Sequence, residues 1–276
     1  MQRPPSSPSR SQALVEFEPV LLKTFQGLTQ NVNREVRDAM HYALFSVKDR
    51  FCASSAWLIA PRLDIAASKL ERPIAAIETI RCALLFKTKN HKALEPALTE
   101  AAAYGLIPLA FEMLVTPATS SLNDAEQTAA VRILAQAASP VHVLSAIHKE
   151  SHVLREGIRS KNELLDLISE KVTPAFNATG EILRLFAEPS ESLNRLPQWF
   201  QKLGLFAHML DEFVSPPTAS SQNVISLRHY MTVPETLDVI KSLETELLDS
   251  ARAMELQGAA HEIIEPLADL LKTRLQ

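Results

Sequence analysis

Residues 73–85 read PIAAIETIRCALL, and this stretch indicates the fold class. Pro73 suits the first turn of a helix, because the N–H that proline lacks is not needed there. The following residues place apolar side chains at helical spacing, namely Ile74, Ile77, Ile80, Leu84 and Leu85. The stretch therefore predicts an apolar helix with Pro73 in its first turn.

The rest of the chain has the same character. Of its 276 residues, 46% are apolar, 22% are charged and only 6 are glycine, so a sizeable core is available and strand-and-turn patterns are hard to place. Breakers and caps divide the chain into about ten helices with short connections and no fixed-period repeat. We expect an all-α protein with one helical domain over residues 13–276, preceded by a disordered tail over residues 1–12.

Charge and cysteine content exclude several classes of protein. A net charge of −4 argues against a dedicated nucleic-acid binder. Cys52 and Cys82 are too few for a disulfide framework or a cysteine-built zinc site, and we expect both to be small buried hydrophobes. No run of 18 apolar residues occurs, so we expect no transmembrane segment. We expect a cytoplasmic protein, or an organellar one if its source is eukaryotic.

Six short sequence segments, called phrases below, occur in an order and spacing that resemble those of one enzyme family. They are Ala75–Leu85, Ala102–Phe111, Lys171–Phe176, Leu203–Phe213, Thr232–Pro234 and Leu267–Arg274. Together they resemble the trans-isoprenyl diphosphate synthases over roughly residues 35 to 275. This resemblance implies a single bundle of about ten helices around a central cavity.

The resemblance also shows what this chain has lost. In the family, two aspartate-rich motifs hold Mg²⁺ ions that bind the departing diphosphate. Here the place of the first motif is taken by Thr88–Lys92, which has no carboxylate and carries positive charge. Of the second motif, Asp211 and Glu212 remain, and the third acidic position is Ser215. Adjacent helical positions diverge by about 100°, so we interpret this acid pair as a vestigial metal site.

The substrate site implied by the resemblance also lacks several of the family's residues. In the family, one sequence segment binds the homoallylic diphosphate with a pair of arginines. Lys48 and Arg50 lie in the corresponding segment of this chain, which lacks that pair. Arg81 replaces the family histidine, His208 replaces a glutamine, and Lys171 keeps its place without its threonine neighbour. We interpret these five residues as vestigial substrate ligands and predict no catalytic residue.

Two further clusters have alternative interpretations. The basic residues Lys87, Lys89, His91 and Lys92 could form an anion site, but a solvated loop after a helix C-terminus is the favoured reading. Helix-spaced histidines such as His148 and His152 suggest zinc only weakly, because no third ligand can be named.

By analogy with heteromeric members of the superfamily, we expect a non-catalytic or regulatory subunit of a polyprenyl diphosphate synthase that supports quinone side-chain synthesis. The implied partner is a catalytic synthase subunit, or a second copy paired through long helices such as residues 101–115 and 122–138. We expect no cofactor, and Mg²⁺ only if activity remains. The alternatives are a divergent enzyme acting on an isoprenoid diphosphate, by prenyl transfer or terpene cyclase-like chemistry, and a lipid-binding helical protein.

Overall fold

The computed structural model describes residues 10–47, 50–88, 95–116, 121–139, 160–214, 227 and 230–275. Within these ranges the chain forms ten α-helices and no strand, which confirms the all-α prediction. Residues 1–9 of the predicted tail lie outside the described ranges, whereas residues 10–12 already belong to the first helix. The helices are α1 (Arg10–Leu28), α2 (Arg34–Phe45), α3 (Phe51–Ile59), α4 (Ala67–Thr88), α5 (Pro96–Val115), α6 (Asp124–Ala137), α7 (Lys161–Phe186), α8 (Leu196–Val214), α9 (Val233–Ala253) and α10 (Gln257–Leu275).

The chain divides into two compact units. Unit 1 comprises Met1–Ala138 and Glu181–Pro189, and unit 2 comprises Ser139–Gly180 and Ser190–Gln276. Helices α1 to α6 therefore belong to unit 1 and α8 to α10 belong to unit 2, while α7 passes from unit 2 to unit 1 after Gly180. The single helical domain over residues 13–276 stays a prediction.

Unit 1 is built around α3. All nine of its residues are buried, because α1 and α4 pack against it. This burial agrees with the composition of the segment, which has no charged residue. Helix α4 packs in turn against α5, and α5 packs against α2. The last two helices approach closely at Gly105, where an added Cβ would lie 2.9 Å from the sulfur of Met40.

The predicted start of α4 is wrong. The helix begins at Ala67, six residues before Pro73, and the proline lies inside it. Leu70, which is fully buried, belongs to these extra turns. Because Pro73 has no N–H, the carbonyl of Lys69 lacks its usual helical partner. Burial of the first turns therefore outweighed the local preference of proline for a helix start.

Unit 2 contains α8, which packs against both α9 and α10. The indole Nε1–H of Trp199 in α8 donates to the carbonyl of Leu247 in α9 at 2.9 Å. Two glycines permit close approach: a Cβ on Gly180 would lie 2.6 Å from the Cα of Pro197, and one on Gly204 would lie 2.6 Å from the ring of Phe176. Glycine at these positions therefore lets α7 and α8 come together.

One described helix, Ala97–Val115 of α5, is long and apolar enough to cross a membrane by length and composition alone. The sequence predicted no transmembrane segment, because no run of 18 apolar residues occurs in it. In the structure, 39% of this stretch is buried, and the helix packs against α2, α4 and α6. We interpret it as a core helix of unit 1 whose outer side is also apolar.

The glycine contacts yield a testable difference. We expect Gly180→Ala to destabilise the protein by about 2 kcal/mol, because the new Cβ meets backbone that cannot move independently. Gly27→Ala is the control, since nothing lies within 4 Å of its added Cβ. That change should be neutral or stabilise the helix by up to about 1 kcal/mol. Chemical denaturation of the two variants measures the difference, and equal stabilities would contradict the packing described.

Candidate functional site

A buried carboxylate in unit 1 joins two helices. Glu78 of α4 accepts a hydrogen bond from the backbone N–H of Ala53, near the start of α3, at 2.9 Å. Its second oxygen accepts from Nε of Arg81 at 2.7 Å. The side chains of Glu78 and Arg81 are 0% and 10% exposed, so water screens this ion pair little. Arg81, which the sequence suggested as a vestigial diphosphate ligand, therefore directs Nε at an internal carboxylate.

Arg50 is bonded within the same unit. Its side chain is 1% exposed, and its Nε donates to Oε1 of Glu18 in α1 at 2.8 Å. Nη1 donates to the sulfur of Cys82 at 3.2 Å, and the ring centroid of Phe45 lies 5.6 Å from Cζ. The buried Nη2 has no hydrogen-bond partner among the described residues. Two of the three guanidinium nitrogens thus serve contacts between helices.

The protonation states of this cluster follow from burial and charge. Burial is the largest influence on Arg50 and lowers its pKa, but Cys82, Glu18 and Glu78 outweigh it, so the pKa is raised overall. Burial raises the pKa of the Cys82 thiol to about 11 in spite of the nearby arginines. Cys82 therefore keeps its proton at neutral pH, and its sulfur lies 3.8 Å from the carbonyl of Leu44 as a donor.

Glu18 is predicted to stabilise Arg50. We expect Glu18→Ala to destabilise the protein by about 2 kcal/mol, because a buried cation loses its carboxylate. This figure is below the range for fully buried pairs, since the Glu18 side chain is 40% exposed. Glu16→Ala on the exposed side of the same helix is the matched control and should change stability by less than about 0.5 kcal/mol. Urea denaturation of both variants checks this, and equal losses would contradict the proposed role of Glu18.

Unit 2 contains the acid pair Asp211 and Glu212. Glu212 lies near the end of α8, and its Oε2 accepts a hydrogen bond from the backbone N–H of Leu227 at 3.0 Å. Its Oε1 lies 3.4 Å from Nε2 of His208, one turn earlier on the helix. Leu227 is 1% exposed, and its carbonyl accepts from the N–H of Tyr230 at 3.0 Å. Glu212 therefore joins α8 to the backbone of Leu227, 15 residues further along the chain.

The surroundings of Glu212 favour its charged form. Burial is the largest influence and raises its pKa, but His208, the N–H of Leu227 and the charge of Lys171 together lower the pKa below its ordinary value. Two residues suggested as substrate ligands, Lys171 and His208, are thus placed around this carboxylate. Lys171 is half-buried and makes other interactions as well.

These residues do not fit the Mg²⁺ site that the resemblance implied. Both oxygens of Glu212 are already engaged, and the neighbouring Asp211 is exposed to solvent. A divalent cation needs several oxygen ligands that converge on one point. Across the ranges that the structure describes, no group of three or more His, Cys, Asp or Glu side chains could hold a metal.

The acid pair yields a second test. We expect Glu212→Gln to destabilise the protein by about 1 to 2 kcal/mol at neutral pH, because a charged acceptor is lost. Asp211→Asn, the adjacent and exposed control, should change stability by less than about 0.5 kcal/mol. Thermal unfolding of both variants, with and without Mg²⁺, provides the comparison.

The pH dependence of this difference follows from the lowered pKa of Glu212. Its stabilisation is fully present above the ordinary pKa of a glutamate, about 4.3, and is lost as the pH falls through the lower value in the folded state. The gap between the native chain and Glu212→Gln should therefore close as the pH falls below about 4. A gap that stays constant down to pH 3 would contradict the assignment.

Several predicted positions lie outside the described residues. These include Lys48, the basic residues Lys89, His91 and Lys92, the third acidic position Ser215, and the helix-spaced histidines His142, His148 and His152. Lys87 belongs to α4, but its side chain is not among those described. The anion-site and zinc alternatives for these clusters stay predictions.

The sequence did not reveal the residues that Arg50 and Glu212 contact inside the protein. Glu18 is separated from Arg50 by 32 residues, and Glu212 is separated from Leu227 by 15, so no local pattern connects either pair. Cys52 and Cys82 are both buried, as predicted, but the bond between Cys82 and Arg50 had no signal in the sequence.

No protein-family model and no curated protein sequence matches the chain. Solved structures do resemble it. A geranyltransferase from Legionella pneumophila has a TM-score of 0.78 at 18% identity, covering 97% of this chain and 98% of its own. A geranyltransferase from Helicobacter pylori, complexed with magnesium and isoprenyl diphosphate, has a TM-score of 0.72 at 13% identity, covering 99% of both chains.

A third similar structure is a multi-subunit enzyme. It is a deletion mutant of heterotetrameric geranyl pyrophosphate synthase from mint, with a TM-score of 0.67 at 15% identity, covering 91% of this chain and 98% of its own. These likenesses extend over almost the whole chain. They confirm that it has the all-α fold of the isoprenyl diphosphate synthases, as the sequence phrases implied.

Proposed function

We propose that this chain is a non-catalytic subunit of a heteromeric prenyl diphosphate synthase, acting in the cytoplasm in isoprenoid biosynthesis. The fold is that of prenyl diphosphate synthases, and one similar structure is a heterotetrameric geranyl pyrophosphate synthase. Fold alone does not determine activity, so the argument depends on the state of the residues that the chemistry would use.

The observation that carries the proposal is the engagement of Glu212. A carboxylate that binds Mg²⁺ must direct an oxygen at the ion, in near-octahedral geometry together with further oxygen ligands. Here one oxygen holds the N–H of Leu227 and the other lies beside His208. Recruiting Glu212 to a metal would compete with its contact to the backbone N–H of Leu227. The neighbouring Asp211 alone supplies too few ligands for a family-type Mg²⁺ site.

The state of the arginines supports the same conclusion. A diphosphate site requires guanidinium groups that are free to form paired hydrogen bonds with the anion. Nε of Arg81 is bonded to Glu78, and Arg50 is buried with bonds to Glu18 and Cys82. In addition, residues 88–92 read TKNHK, with no carboxylate where the first metal-binding motif would stand. The chain thus keeps the fold while its polar groups serve internal contacts.

A prenyl-transfer assay tests this function. The purified full-length chain is incubated with Mg²⁺, an allylic diphosphate and labelled isopentenyl diphosphate, alone and with extract from its source depleted of this chain. We expect no product from the chain alone, and at least a severalfold increase in product, or a change in product length, when the chain is returned to the extract. The heat-denatured chain is the control.

Other outcomes would contradict the proposal in distinct ways. Turnover by the isolated chain that is lost in Asp211→Asn would make it a divergent enzyme that uses the residual acid. No turnover and no effect on the extract, together with an isoprenoid retained in native mass spectra, would indicate a lipid-binding protein.

A further inference from the structure

We draw no further inference here: the strongest candidate, the buried side-chain cluster of Glu18, Arg50 and Cys82 in unit 1, where Nη2 of Arg50 has no hydrogen-bond partner among the described residues, belongs to the site already described, and an anion bound there would restate the substrate contact that the sequence resemblance implied for Arg50.

Discussion

The structure of unit 1 depends on the carboxylate of Glu78. This group has no exposure to solvent, and it holds the start of α3 through Ala53 while it neutralises Arg81. Such a carboxylate is tolerated inside a protein only when both oxygens are satisfied and a cation is near. Arg50 and Glu18 form a second ion pair close by. The negative charges of the two carboxylates therefore balance the positive charges of the two guanidinium groups. Loss of Glu78 or Glu18 would leave a buried guanidinium group without its carboxylate partner.

Units 1 and 2 use their polar residues in the same way. In unit 1 the guanidinium groups are bonded to Glu78, Glu18 and Cys82, and in unit 2 the carboxylate of Glu212 is bonded to the backbone of Leu227. Enzymes keep such groups unsatisfied until a ligand arrives, because free hydrogen-bonding capacity is what binds the ligand. Here Nε and Nη1 of Arg50, Nε of Arg81 and Oε2 of Glu212 are bonded to other groups of the protein, so these atoms stabilise contacts within each unit.

Local patterns predicted the helices well, and long-range contacts explain the exceptions. Composition, breakers and caps predicted an all-α chain with about ten helices, and ten α-helices lie in the ranges that the structure describes. The start of α4 was wrong, because burial of Leu70 outweighs the preference of Pro73. The site was predictable only as a list of residue types. Whether Arg50 meets a substrate or Glu18 depends on how α1 packs, which no local spacing reveals.

The contact between Glu212 and Leu227 has a consequence for substitution. The carboxylate supports the backbone of a residue 15 positions further along the chain, so a change that freed Glu212 for another ligand would also remove this support. A change at the exposed neighbour Asp211 has no such cost. Unit 2 can therefore vary at its exposed positions more easily than at Glu212.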